Sequence, residues 1–408
     1  MLSQRPIDEQ MALLMRGVSF GDPTTRQTME RELRQRLQEA LAADRPLRIY
    51  LGVDPTSSDI HLGHTVPLTK LRQFQDLGHE VIFLIGSFTA LIGDPSDKDK
   101  ARPQQSPEQV RANAQTYVAQ VHKVLDSERT RIEYNDRWLA PLTFADLIGI
   151  ASRFTVQQFL TRDNFSGRFA KGDPIWLHEF FYGLMQAYDA MALETDVQIG
   201  GSEQLFNLMA GRKLMEANGM RPQICLTLPI LVGTDGHVRM SKSIGNYIGI
   251  DEPADDQYGK VMSLPDEAMR DYFELVTRWA PDHIAALFAD LERGAIHPRD
   301  VKMQLAAEIV GIYHGEEAAE AAEARFRTVH QQRVVPDEMP TLRLESPTGI
   351  IAILRAAKLA RTNSEARRLI EQGGVRLDGE AVADIGLEIA PQGQVLQVGK
   401  RRFVRLQP

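Results

Sequence analysis

The chain reads as an α/β protein: a Rossmann-like, doubly wound parallel sheet, followed by an all-helical region and a small α+β module. Two patterns predict this. In the first half, short apolar runs alternate with longer amphipathic stretches, the signature of strands separated by crossover helices. From about Pro253 to Arg333 the strand-like runs stop and the pattern is helical throughout, including EEAAEAAEARF. Gln331–Pro347 holds three prolines and little periodicity, so it reads as a linker, after which short alternating runs resume.

Taken in order, Thr24–Ala43 is charged and amphipathic and predicts a helix. Leu47–Val53 (LRIYLGV) is a β-rich run ending in an Asp-Pro-Thr-Ser-Ser-Asp turn. Leu62–Leu77 has helical periodicity, with Gly78 placed to cap it. Glu80–Ser87 (EVIFLIGS), short and continuously apolar, predicts a buried strand. At Ser106-Pro107-Glu108-Gln109, a serine cap, an early proline and a glutamine at the third helical position predict a capping-box start. Arg131–Asn135 predicts a short strand, Trp176–Leu193 a long helix, Asp196–Gly200 another strand and Ser202–Asn218 the helix after it. In the last segment Ser364 is placed to cap a helix ending at Gly373-Gly374, followed by strand, an Asp378-Gly379 turn and strand. Doubly wound sheets bind ligands beyond the C-terminal ends of their strands, near the point where strand order reverses. The turn after Val53, the loop after Ile85 and the Gly200-Gly201 loop are such ends.

Composition narrows the class. With 43% hydrophobic and 25% charged residues in 408, the chain has the makings of a globular protein of two or three domains. One cysteine, Cys225, leaves no internal disulfide and no cysteine-based zinc cluster. No apolar run approaches the ~18 residues that span a bilayer. The N-terminal stretch MLSQRPIDEQMALLMRG carries acids, unlike a secretory signal or a transit peptide, so a cytoplasmic protein without a membrane partner is expected. The net charge of −8 argues against a generally basic nucleic-acid binder, but the charge is uneven. Ser346–Pro408 holds ten Lys+Arg against six Asp+Glu, a net of +4, leaving 37 against 49 and a net of −12 elsewhere. A basic tail on an acidic body suggests an anionic partner for the tail.

The stretch GVDPTSSDIHLGHT places His61 and His64 three apart, on one face of a helix that begins there. Such a pair can be half of a zinc site, can present imidazoles and backbone N–H groups to a phosphate at a helix start, or can simply pack. Downstream lies Arg239-Met240-Ser241-Lys242-Ser243, preceded by the polar, glycine-containing Gly233-Thr234-Asp235-Gly236 that reads as a mobile loop. Two cations three apart on such a loop can close over a triphosphate, or can be a solvated basic turn.

HxGH followed by KMSKS, in that order on an alternating α/β pattern, resembles the signature pair of the class I aminoacyl-tRNA synthetases. The surrounding residues narrow the resemblance to the bacterial tyrosyl-tRNA synthetases. They are Tyr50 ahead of Gly52-Val53-Asp54-Pro55-Thr56, Leu91-Ile92-Gly93-Asp94-Pro95-Ser96, Tyr182-x-x-x-Gln186-x-x-Asp189 and Gln198-Ile199-Gly200-Gly201-Ser202-Glu203-Gln204. The final segment resembles their S4 RNA-binding domain, and the likeness runs from about Asp8 to Leu406.

The resemblance implies a catalytic domain over 1–245 with N-terminal helices and a helical dimer-interface insertion. It implies a helical anticodon-side domain over 246–335, a linker over 336–346 and an S4-like domain over 347–408. It implies activation of L-tyrosine by ATP, taken as its Mg²⁺ complex, to tyrosyl-adenylate and pyrophosphate, then transfer to tRNA-Tyr. No bound protein metal site is expected, since no third ligand lies near the histidine pair. A carboxylate nucleophile already carries its charge, so the enzyme must align reactants and stabilise charge on phosphate. By likeness His61, His64, Lys242 and Arg239 do this, with Gly52, Asp54, Thr56, Gly63, Lys98, Arg102, Gly200, Glu203, Ser241 and Ser243 also on the ATP side. Arg239 stands where the family motif has lysine, and Glu203 where the family often has aspartate.

For tyrosine, a phenol in an apolar pocket needs partners that donate and accept, which a tyrosine hydroxyl and a carboxylate supply. By likeness these are Tyr50 and Asp189, with Asp94, Tyr182 and Gln186 on the ammonium and Gln204 at the carboxylate end. Tyr182, Gln186 and Asp189 fall on one helix face. In the tail, Arg361, Arg367, Arg368, Arg376 and the Lys400-Arg401-Arg402 run are the candidate RNA-phosphate contacts. A homodimer is implied by likeness alone. The competing readings are tryptophan activation on the same fold, disfavoured by the S4-like tail and the Tyr50/Asp189 pair, and a catalytically silent RNA-binding scaffold, disfavoured by intact His61, His64 and Lys242.

Overall fold

Five aliphatic, β-branched runs assemble one parallel sheet: β1 (Arg48–Val53), β2 (Glu80–Ile85), β3 (Thr130–Tyr134), β4 (Val197–Gly201) and β5 (Ile224–Leu228). The order is β3-β2-β1-β4-β5, so the direction of winding reverses between β1 and β4. β1 pairs with β2 from Arg48↔Glu80 to Val53↔Ile85 and with β4 from Ile49↔Val197 to Leu51↔Ile199. These pairings make β1 the central strand, and helices cover both faces of the sheet, which is why β2 and β5 read as continuous apolar runs. The computed structural model describes residues 1–55, 60–96, 106–328, 339–344, 346–399 and 402–408. They divide into two units, Met1–Arg325 and Phe326–Pro408.

At the N-terminal end of the sheet, Asp196 accepts from Arg36 at 3.0 Å, Arg45 at 3.1 Å and the Arg48 N–H at 3.0 Å. A buried carboxylate is tolerable there because it is paired on every side. That leaves the C-terminal ends of the strands free for function. The Leu62–Asp76 helix follows β1, and Gly78 closes it at φ +89°. Ser106 caps the Pro107–Val121 helix, its Oγ accepting from the Gln109 N–H at 3.3 Å. Where one helix was expected from Ser202, a 3₁₀ turn (Ser202–Gln204) precedes Leu205–Ala217.

Between β3 and the Leu177–Ala192 helix lie four short helices: Asp136–Leu139, Phe144–Ala151, Val156–Leu160 and Asp163–Lys171. Phe159, Phe165, Phe180 and Phe206 pack among them at centroid distances of 5.1 to 5.2 Å. The buried Arg168–Glu179 pair, with contacts of 2.6 and 2.9 Å, pins this insertion to the long helix. Outside, Phe144, Ile148, Val156, Phe169, Trp176 and Leu177 are exposed. From Ala254 onward the first unit is helical, and Tyr313 Oη donates to Thr65 Oγ1 at 3.2 Å, tying Pro298–His314 to the histidine-bearing helix.

The second unit packs two helices, Ile350–Ala356 and Asn363–Glu371, on a five-stranded sheet. Ile350, Ile353, Leu354, Ile370, Leu396 and Leu406 form its core. The helix cap falls on Thr362, not Ser364. Thr362 is extended (φ −139°, ψ 161°) and its Oγ1 accepts from the Glu365 N–H at 3.1 Å, whereas Ser364 is already helical. Asp378 and Gly379 turn the following hairpin at φ +48° and +88°.

Candidate active site

Two adjoining chambers open at the C-terminal ends of β1, β2 and β4. The inner one, about 260 Å³, is lined by Tyr50, Asp94, Tyr182, Gln186, Asp189 and Gln204, so all six candidate tyrosine ligands meet there, together with Gly52, Asp54, Gly200 and Glu203. The outer one, about 470 Å³, is lined by His61, Gly63, His64, Arg239, Ser241, Lys242 and Ser243. Val53, His64, Pro67, Asp94, Tyr117, Gly201 and Glu203 belong to both. Thr56, Lys98 and Arg102 lie outside the described residues.

Tyr50 is fully buried on β1, and its hydroxyl has no hydrogen-bond partner among the described residues. Burial, reinforced by Asp189, pushes its ionisation well above the ordinary phenol range. Asp189, on the Leu177–Ala192 helix, is buried as well; Trp138 Nε1 donates to its Oδ1 at 2.7 Å and Asn135 Nδ2 to its Oδ2 at 3.2 Å. Burial raises its carboxyl to about 7, against the downward pull of those two donors. The same Asn135 amide donates to Thr89 Oγ1 at 3.1 Å, and Thr89 Oγ1 donates to Asp54 Oδ1 at 2.7 Å. Gly86 is required here, because a Cβ on it would lie 2.0 Å from Asp54 Oδ1. Asp94 is held by the Ser96 N–H on Oδ1 at 2.8 Å and by Gln204 Nε2 on Oδ2 at 2.5 Å.

In the outer chamber His61 and His64 stack, ring centroids 3.8 Å apart and planes 17° apart, at the start of the Leu62–Asp76 helix. Burial, then His64 and Lys242, lower His61 to about 3; desolvation, then Lys242, lowers His64 to about 4, although its side chain stays exposed to the cleft. Both rings are therefore neutral near pH 7 and offer polar N–H groups without charge. A Cβ on Gly63 would lie 3.0 Å from His61 Cε1, so the glycine first makes room for that ring.

The two signatures are joined although far apart in sequence. The Gly63 N–H points at Met240 Sδ at 3.3 Å, and Ile60–His61 pairs with Gly249–Ile250. The Arg239–Ser243 stretch sits in a hairpin organised by the buried Asn246. Its Nδ2 donates to Asp235 Oδ2 at 2.5 Å and to the Arg239 carbonyl at 3.1 Å, while its Oδ1 accepts from the Ser241 N–H at 2.8 Å. These contacts fold the segment that reads as a mobile loop into a hairpin. Among the described residues no three His, Cys, Asp or Glu side chains form a metal cluster.

The family model for class I tRNA synthetases of the tryptophan and tyrosine type matches residues 42–331, and the S4 domain model matches 349–395. A tyrosine–tRNA ligase from Moorella thermoacetica is 50% identical over 99% of this chain and 97% of its own length. The chain belongs to the bacterial tyrosyl-tRNA synthetases. The tyrosine–tRNA ligase of Geobacter sulfurreducens is 47% identical over 98% of this chain and 99% of its own length. Among solved structures, the tyrosyl-tRNA synthetase of Archaeoglobus fulgidus complexed with L-tyrosine is 26% identical, covers 78% of this chain and 100% of its own, and superposes with a TM-score of 0.61.

As in any tyrosyl-tRNA synthetase reading, residues beyond the motifs matter, and sequence reasoning missed Thr89, Asn135, Trp138, Arg162 and Asn246. Thr89, Asn135 and Arg162 stand singly at element boundaries, whereas Trp138 lies inside the Asp136–Leu139 helix and Asn246 in the hairpin. The available signal was position: Asn135 directly follows β3, at another C-terminal strand end. In the second unit, Arg361, Arg368 and Arg402 share a depression with Lys358, whereas Arg376 turns to the Gly379 carbonyl at 2.9 Å and Arg367 is exposed outside that depression. Lys400 and Arg401 lie outside the described residues.

Proposed function

We infer that this chain is a tyrosine–tRNA ligase that carries out both half-reactions with the chambers just described. The observation that carries the residue assignment is the pairing of an unpartnered, buried Tyr50 hydroxyl with Asp189 in one chamber, next to a second chamber of neutral histidines and Lys242. The phenol of L-tyrosine donates to Asp189 and accepts from Tyr50 Oη. Phenylalanine would leave the Tyr50 hydroxyl buried and unpaired, at a cost of roughly 1–3 kcal/mol, and would deny Asp189 a donor beyond Trp138 and Asn135. Asp94, Tyr182 and Gln186 take the ammonium, and Gln204 steadies the carboxylate end.

ATP enters as its Mg²⁺ complex in the outer chamber, with Asp54, Gly200 and Glu203 on the ribose and adenine side. The tyrosine carboxylate oxygen attacks the α-phosphorus, and the bond to the bridging oxygen breaks, releasing pyrophosphate. His61 and His64 donate to the phosphate oxygens as charge builds, while Lys242 and Arg239 close over the departing pyrophosphate. A hydroxyl of the tRNA-Tyr 3′ end then attacks the adenylate carbonyl and AMP leaves. Arg361, Arg368 and Arg402, with Arg367 and Arg376, contact RNA phosphate, and the helices from Ala254 to Phe326 face the anticodon side. The exposed Phe144, Ile148, Phe169 and Trp176 support a homodimer through the helical insertion. A cytoplasmic location fits this activity, and no helix among the described residues is long and apolar enough to cross a membrane.

The deciding experiment is tyrosine-dependent exchange of labelled pyrophosphate into ATP without tRNA, with tryptophan and phenylalanine in parallel. Exchange with tyrosine alone is expected. Exchange with tryptophan would overturn the pocket assignment, and no exchange from folded protein would favour the silent scaffold. A chain ending at Ser346 should keep exchange within about twofold yet lose tRNA charging, since phosphate contacts supply most of the affinity.

A further inference from the structure

Arg162 stands at the junction between the Val156–Leu160 and Asp163–Lys171 helices and is only 7% exposed. Among the described residues it has no carboxylate in ion-pairing range. Its guanidinium lies over the Phe165 and Phe206 rings, 5.1 and 4.9 Å from their centroids. Nη2 donates to Ser96 Oγ at 2.5 Å, and the buried Nη1 has no partner. Two residues on, Asn164 Nδ2 donates to the Pro95 carbonyl at 2.8 Å. Ser96 in turn donates its N–H to Asp94 Oδ1 at 2.8 Å.

A buried guanidinium without a carboxylate is expensive, and packing alone is served better by an aliphatic chain. Burial lowers the arginine's pKa, and the Asp94 carboxylate, then Tyr182 and Glu179, offset part of that without forming an ion pair. Two adjacent side chains of the insertion therefore grip two consecutive residues of the loop that carries Asp94. Among the described residues, Arg162 alone reaches the Ser96 hydroxyl and Asn164 alone the Pro95 carbonyl from outside that loop.

We propose that the Arg162–Asn164 junction is a positioning device that fixes the Asp94–Ser96 loop, and so sets the subsite for the substrate ammonium from the helical insertion. This rests on Asp94 being an ammonium ligand. Arg162 touches no substrate. It acts by holding Ser96, hence the backbone N–H that orients the Asp94 carboxylate.

The test uses the full chain with Arg162→Met, Arg162→Lys and Asn164→Ala, measuring KM for tyrosine and for ATP separately by exchange, tyrosine Kd by calorimetry, and Tm. Asn164→Ala removes one loop contact without a buried charge, so it remains informative should Arg162→Met fold poorly. The expected result is a rise in tyrosine KM and Kd of about tenfold for Arg162→Met and about threefold for Asn164→Ala, ATP KM moving less than about twofold, with Arg162→Lys intermediate. A lowered Tm with tyrosine Kd unchanged in both would make the junction merely structural and overturn the proposal, as would equal rises in both KM values. A wild-type chain that neither exchanges nor binds tyrosine would instead overturn the functional reading and this inference with it.

Discussion

The two chambers are built by opposite strategies. The inner one is cut into the core: Tyr50 comes from the central strand, Asp189 from a long helix, and Asn135 and Trp138 lock the carboxylate from a third element. The outer one is assembled from termini and a hairpin, where a helix start, the Arg239–Ser243 stretch and the Asn246 latch meet. Discrimination needs fixed, desolvated partners whose loss is costly. Phosphate chemistry needs donors that can follow charge as it moves. Binding and rate should therefore be separable by mutation.

The largest expected effect falls on the outer chamber. Lys242→Ala should slow adenylate formation by about 10²–10³-fold in single-turnover assays while tyrosine Kd stays within about twofold. A comparable loss in tyrosine binding would erase the distinction between chambers. Next comes pH. With Asp189 near 7 in the free enzyme, kcat/KM for tyrosine should fall about tenfold per unit below that value, and Asp189→Asn should flatten the limb. Because folding raises this pKa, the folded chain holds the proton more tightly than the unfolded one. Asp189 therefore costs stability above pH 7, and the cost fades as pH falls toward the ordinary carboxylate range. Tm of Asp189→Asn should accordingly exceed wild type more at pH 8 than at pH 5. Tyr50→Phe should lower the preference for tyrosine over phenylalanine by about tenfold, measured as a ratio of kcat/KM values. The smallest effect is an absence: with His61 near 3 and His64 near 4, ATP KM should stay within about twofold between pH 6 and 8.

The sequence disclosed the outer chamber's contacts more readily than the inner chamber's supports. HLGH and RMSKS are contiguous, because a helix start and a hairpin each present several neighbours to one ligand. Tyr182, Gln186 and Asp189 were assigned by likeness to the family, and their spacing on one helix face added only that Gln and Asp there make a poor apolar core. Asn135, Trp138 and Thr89 could not be read, because each acts through a single long-range contact that only the sheet order brings together. β5 was also missed, although ICLTL is no shorter than β3 or β4; it was placed only by its pairing with β4. The cap at Thr362 failed for a local reason, since a serine two residues later is as good a capping residue until the backbone angles decide.

Tyr50, Gly52 and Asp54 alternate along β1 and its exit, so the proposed assignment puts the phenol at one end of this run and the nucleotide at the other. A strand advances about 3.3 Å per residue, so on that assignment the spacing from Tyr50 to Gly52 is set by the extended backbone of β1. The surrounding loops can lengthen, shorten or change sequence without altering that spacing. An insertion of one residue inside β1 would both stretch it and turn Tyr50 to the other face of the sheet. The strand thus works as a gauge for the reaction, and it is the part of this architecture least open to redesign.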